Sequence, residues 1–214
     1  MAQKICIVIP PSPFLLDERV FPFLGPLKVA GSLEAAGVPV EVLDLSGYKN
    51  YADIMREHAS TTEAKVFGIT ATTPQLPAAV EVSDAIREAR ADARIILGGT
   101  HATLTVAALN HEKKHGVTGR AHRAFDRLLP YFDTIVAGDG EETIFHAIAD
   151  DAPKLIDADG RKSPRKALFL DNARRNASPC PARATTTRRR WKPSPTRSPP
   201  RWRPSRPMPR WRTM

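Results

Sequence analysis

Apolar residues along this chain fall into short unbroken runs, separated by longer segments whose apolar positions lie three and four apart. The unbroken runs are Lys4–Ile9 (K-I-C-I-V-I), Val38–Leu43, Lys65–Thr70 (K-V-F-G-I-T), Ile95–Leu97 and Asp133–Ala137 (D-T-I-V-A). Runs this short and this apolar are what a strand buried on both faces requires. The intervening segments Phe23–Ala36, Tyr51–His58, Pro77–Arg90, one starting near Ala102, and Glu141–Ala149 predict helices. In the first of them Leu27, Ala30 and Leu33 share a face, and Gly37 is placed to cap the carboxyl end. Strands alternating with helices predict an α/β fold on a doubly wound parallel sheet. Five strands favour the flavodoxin-like order 2-1-3-4-5, in a domain spanning residues 1–150.

In such a sheet, ligands bind beyond the carboxyl ends of the strands. Four loops fall there: P-P-S-P (Pro10–Pro13), T-A-T-T-P-Q after the third strand, G-G-T-H-A-T (Gly98–Thr103) after the fourth and G-D-G-E-E-T (Gly138–Thr143) after the fifth. Pro10 and Pro11 stop the first strand, since proline cannot continue a central ladder. The pair Gly98–Gly99 ends the fourth, and without Cβ atoms a ligand can touch backbone there. These loops are rich in Gly, Ser and Thr and bear no paired nucleophile and base. They suit a large cofactor held by backbone N–H groups and close approach.

Several specific sites are excluded. Neither G-x-x-x-x-G-K-[ST] nor a G-x-G-x-x-G after the first strand occurs. A phosphoacceptor aspartate at the end of the third strand is replaced by Ile69-Thr70-Ala71. No turn resembles a nucleophile elbow. In the insertion at about residues 110–130, His111 and His115 are spaced for one helical face, with His122 nearby. Spacing fixes no further ligand there, and the surrounding Lys and Arg disfavour a cation, so a solvated loop and helix is expected.

Charge changes the picture at one end. Residues Asp171–Met214 hold 13 Arg or Lys against one acid, leaving 19 basic and 22 acidic residues in Met1–Leu170. All three tryptophans and nine of the 20 prolines also lie in that tail. Without apolar periodicity it cannot bury a core and is expected to be disordered. As a hypothesis, the tail is an out-of-frame read: GAC-TAC-TAC read one base late yields threonine codons, as at Thr185–Thr187. A single intact frame in independent isolates would overturn it. The competing reading is a nucleic-acid-binding arm of basic residues and tryptophans, without a folded recognition module. Residues 151–170 are expected to be a linker with an extra strand at Lys166–Asp171. Two cysteines, Cys6 and Cys180, form no disulfide framework and no zinc site and suit a cytoplasmic protein, with Cys6 expected to be a small core residue and no metal site expected. No run reaches the length of a membrane span.

P-P-S-P, G-I-T-A-T-T-P, I-L-G-G-T-H-A-T and F-D-T-I-V-A-G-D-G-E-E-T, in this order, resemble the N-terminal cobalamin-binding domain of radical S-adenosylmethionine enzymes. That class includes the anaerobic magnesium-protoporphyrin cyclase and cobalamin-dependent methylases. The resemblance covers about Lys4–Ala149 and implies cobalamin as the bound cofactor. It implies that Ser12, Thr70, Thr72 and Thr73 line the pocket and that Gly98 and Gly99 pack against the nucleotide tail. Gly138, Asp139, Gly140 and Glu141 match the family's G-E-G-E turn, and His101 matches the histidine that follows the glycine pair. His101 is expected to structure the loop rather than ligate cobalt, and the D-x-H-x-x-G that supplies a cobalt-ligating histidine elsewhere is absent. The intact enzymes also hold an iron–sulfur cluster through C-x-x-x-C-x-x-C together with S-adenosylmethionine. Cys180 is the only cysteine downstream, so the resemblance implies a fragment that ends before the cluster domain. The cobalamin domain would then face a radical S-adenosylmethionine barrel in the intact protein, or serve as a stand-alone carrier for a separate chain.

Overall fold

The computed structural model describes residues 3–12 and 22–158. Strands β1 (Ile5–Ile9), β2 (Val40–Asp44), β3 (Val66–Thr70), β4 (Arg94–Gly98), β5 (Thr134–Ala137) and β6 (Leu155–Asp157) form one sheet in the order β2-β1-β3-β4-β5-β6. Every pairing is parallel. The first five strands take the expected order. The sixth corrects the five-strand expectation and occupies the start of the expected linker. Three residues after Pro153 and Lys154 are too few to show a period. They become a strand because β5 offers an open edge: Ile135 N donates to Lys154 O at 2.8 Å, and Ala158 N to Ala137 O at 2.9 Å. The strand expected at Lys166–Asp171 and the basic tail lie outside the described residues.

Among the described residues, six α-helices connect the strands: α1 (Leu24–Ala35), α2 (Tyr51–Thr61), α3 (Leu76–Ala89), α4 (Thr100–Lys114), α5 (Arg120–Leu128) and α6 (Gly140–Ala147). Because strand side chains alternate between faces, the sheet divides its apolar residues between two cores. Cys6, Val8, Phe67, Ile69, Ile95, Leu97 and Ile135 pack with residues of α2, α3, α4 and α5. Ile5, Ile7, Val66, Ile96 and Val136 pack with α1 and α6. Full burial of a side chain such as Phe67 or Ile95 is worth about 1.5–3 kcal/mol, so both layers are held mainly by apolar burial. The chain leaves β1 toward β2 but leaves β3 toward β4, which puts the topological switch point between β1 and β3.

Local signals explain the helix ends. Gly37 follows α1 at φ 73°, where Gly37 N donates to Glu34 O and Val38 N to Leu33 O, so the expected cap is present. The expected insertion resolves into the end of α4 and the whole of α5. No residue of its own caps the start of α5. Instead Glu112 reaches across from α4 and accepts from the backbone N–H groups of Gly119, Ala121 and His122 at 3.0, 2.9 and 3.1 Å. A carboxylate is favoured there by the unpaired N–H groups of a helix start. The hydrogen bonds from Ala121 and then His122 hold this carboxyl down at about 2.

Candidate functional site

Glycine placement on adjacent strands builds a trough. On the α1/α6 face, Val66 of β3 is followed two residues later by Gly68, and Ile96 of β4 by Gly98, while Gly138 follows β5. Parallel register sets Gly68 beside Ile96 and Thr70 beside Gly98. Where side chains would fill the space between sheet and helices, backbone is left bare. The result is a cavity of about 220 Å³ over the carboxyl ends of the strands, floored by Gly68, Ile96, Gly98 and Val136. Gly25, Pro26 and Val29 of α1 form one wall, and Gly140, Glu141 and Ile144 of α6 form the other. Gly140 brings the two walls together, since a Cβ there would stand 2.9 Å from Val29 Cγ2.

The glycine pair splits into two roles. A Cβ built at Gly98 has nothing within 4 Å, so the space above it is open to a ligand. A Cβ at Gly99 would stand 2.8 Å from both Ala71 N and Thr70 Oγ1, on a backbone at φ 93°. Gly99 is also the N-cap of α4, which starts at Thr100 rather than near Ala102. The end of the expected loop Gly98–Thr103 is thus the first turn of the helix, held against the β3 loop: Ala71 N donates to Gly98 O at 3.0 Å, and His101 N to Ala71 O at 2.9 Å. Gly138 N likewise donates to Thr103 Oγ1 at 3.0 Å. These N–H groups serve the loops themselves, so what the site offers a ligand here is close backbone approach.

The remaining expected site residues divide the same way. Thr70, Gly98, Gly99, Gly138, Asp139, Gly140 and Glu141 line the cavity, whereas Ser12, Thr72, Thr73 and His101 do not. Thr72 and Gln75 form a capping box on a single 3-10 turn, Thr73–Gln75. Gln75, 1% exposed, donates to Pro10 O at 2.8 Å and ties the loop after β3 to the end of β1. His101 Nδ1 lies 3.1 Å from Thr73 Oγ1 and Nε2 lies 3.5 Å from Thr105 Oγ1. Burial pushes its pKa below the usual histidine range, which favours a neutral ring inside this loop network. Ser12 is buried. Asp139 is the N-cap residue of α6, and Glu141 pairs with Lys28 at 3.8 Å.

Gly68 was not among the expected site residues, although its signal was in plain sight: a lone glycine inside K-V-F-G-I-T marks close approach to a strand. The α1 wall carried no signal, because only the tertiary structure brings Val29 to the trough, beside Gly140. A second, more open depression of about 380 Å³ lies at the opposite edge of the strands, lined by Arg87, Arg94, Asp133 and Asp150. Arg87 donates twice to the Asp133 carboxylate, at 2.8 and 2.7 Å, and Arg94 is bonded to the Ala149 carbonyl. Those cations are already engaged. His111, His115 and His122 form no metal cluster: His115 Nδ1 contacts His111 O at 2.8 Å, and His122 pairs with Glu112 at 2.8 Å. No helix among the described residues is long and apolar enough to cross a membrane.

A parallel sheet of this order with an apolar, glycine-floored cleft over the carboxyl ends of its strands defines a Rossmann-like cofactor-binding domain. The B12 binding domain family matches residues 20–129, more than half of the 214 residues, and the chain belongs to that family of cobalamin-binding domains. No curated protein matches the chain. Among solved structures, it is similar to the radical S-adenosylmethionine methyltransferase TsrM from Kitasatospora setae, determined with tryptophan substrate and the analog aza-SAM bound. The identity is 20%, the TM-score is 0.40, and the match covers 46% of this chain and 19% of that one.

Proposed function

We propose that the trough over Gly68, Gly98 and Gly138 holds the nucleotide tail of cobalamin, and that the domain presents the corrin to a radical S-adenosylmethionine catalytic unit. The observation that carries the first part is the open space at Gly98, where no atom lies within 4 Å of a built Cβ. The flat apolar base of that tail needs such a slot, and Val29 and Ile144 give it apolar walls. The order of the four loop motifs supports the second part. Cobalamin, when bound, supplies a cobalt centre for methyl transfer or related radical chemistry. The chain's residues bind and orient: Thr70 and Asp139 line the slot, and Thr103 ties the loops together through Gly138 and Gly99. Iron–sulfur and S-adenosylmethionine binding belong to the proposed partner unit, since Cys6 and Cys180 are too few for a three-thiolate motif.

The test is the visible spectrum of the full chain after incubation with hydroxocobalamin and desalting. A retained corrin spectrum in the parent, lost in Gly98→Leu at unchanged circular dichroism, is expected. A colourless, folded parent, or retention unaffected by Gly98→Leu, would overturn the assignment of the slot.

A further inference from the structure

On the other face of the sheet, near the amino ends of the strands, three donor side chains converge. Cys6 of β1 and Glu41 of β2 are register partners, and His58 of α2 lies over both. Its Nε2 is 3.7 Å from Cys6 Sγ and 3.0 Å from Glu41 Oε1. One donor atom from each residue falls within 4.8 Å of the others, the only such cluster among the described residues. We propose that Cys6, Glu41 and His58 form a binding site for a tetrahedral divalent cation of the zinc class, which staples β1, β2 and α2 together.

The donor set suits that class. Thiolate, imidazole and carboxylate together select a borderline-soft ion over calcium or magnesium. Bond lengths of about 2.3 Å to sulfur and about 2.0 Å to nitrogen or oxygen put tetrahedral donors roughly 3.3–3.5 Å apart, so His58 already stands near ligating distance from both partners. A hydrolytic triad is excluded by the same atoms. A base must face the thiol with one ring nitrogen and its orienting carboxylate with the other, but here Nε2 faces both. Cys6 is also wholly buried, out of reach of a substrate.

The surroundings divide the carboxylate's work. Lys4 Nζ holds Glu41 Oε2 at 2.7 Å, and Thr62 Oγ1 donates to Oε1 at 2.5 Å. Lys4 therefore engages one carboxylate oxygen and orients the group, as outer-shell partners do, while the other, Oε1, faces His58. Glu41 and His58 are 23% and 28% exposed, which gives an ion an entry path and leaves the fourth position to water. Burial, and then the Glu41 charge, push the Cys6 thiol up, so without a cation it stays protonated. On binding, the S–H bond breaks, its proton leaves to solvent and sulfur's electron pair goes to the metal, while Nε2 gives up the hydrogen it shares with Glu41 and the ring stays neutral with its hydrogen on Nδ1. The site stands on the face opposite the cobalamin slot and does not depend on that reading.

The experiment uses the full, cobalamin-free chain, stripped with chelator under reducing conditions and titrated with inorganic Co²⁺, then Zn²⁺. One ion per chain is expected, with a thiolate-to-cobalt charge-transfer band that zinc bleaches. In Cys180→Ser the band should persist, and in Cys6→Ser it should vanish. His58→Gln, at a partly exposed helix position, should weaken binding at least ~10-fold and decides the matter if Cys6→Ser fails to fold. No stoichiometric complex, a band that follows Cys180 instead of Cys6, or parental affinity in His58→Gln would each overturn the site.

Discussion

The amide of Gly138 donates to the hydroxyl of Thr103 at 3.0 Å, and that hydroxyl lies 3.1 Å from Gly99 O. One side chain thus joins the loop after β5 to the loop after β4 and sets the spacing of the two glycine turns that border the slot. Thr103→Val keeps the shape and removes the oxygen. Loss of about 1 kcal/mol of stability is expected, the net worth of a typical hydrogen bond, together with weaker cobalamin retention. Chemical denaturation and the desalting assay check both; unchanged retention would mean that the two loops hold their spacing without Thr103.

Gly98 and Gly99 are adjacent but should fail differently. Gly98→Leu enters open space, so its thermal midpoint should stay near the parental value while cobalamin is lost. Gly99→Ala meets Ala71 N and Thr70 Oγ1 at φ 93°, and the strained backbone alone costs about 1–3 kcal/mol. Differential scanning of the two variants separates them, and equal midpoints would refute the division of roles.

Gln75 spans three groups: it donates to Pro10 O and accepts from Thr72 N and Thr72 Oγ1 at 3.0 and 2.9 Å. Gln75→Leu leaves the buried Pro10 carbonyl without its donor, at a cost of about 1–3 kcal/mol. Gln75→Glu retains the acceptor and loses the donor to Pro10. Both should lower the denaturation midpoint, with Gln75→Glu keeping the Thr72 contacts.

For Glu41, burial alone would raise the pKa, but hydrogen bonds from Lys4, Thr62 and His58 outweigh it and hold the carboxyl at about 2 against an ordinary 4.5. A carboxyl with a depressed folded-state pKa contributes stability that is complete above its unfolded value and is lost as pH falls through the folded one. The stability gap between the metal-free parent and Glu41→Gln should therefore be widest above pH 4.5 and close toward about pH 2. Urea midpoints across that range measure it, and a gap independent of pH would contradict the ion pairing.

The α/β class, the first five strands and the glycine-rich carboxyl ends were legible in the sequence, because unbroken runs such as K-I-C-I-V-I and breakers such as Pro10–Pro11 act locally. Gly98 and Gly99 were legible as a pair but not as two functions. That division depends on Ala71, which lies 28 residues away and is brought against Gly99 by β3–β4 pairing. Likewise β6 forms only because β5 exposes an edge, and the α1 wall exists only where α1 crosses the sheet. Glu112 caps α5 across seven to ten residues, and Cys6, Glu41 and His58 meet across 52. Short-range patterning determined which segments are strands and where their ends are bare. Only the tertiary structure decided which bare ends face one another, because contacts between distant segments are set by packing and leave no local period.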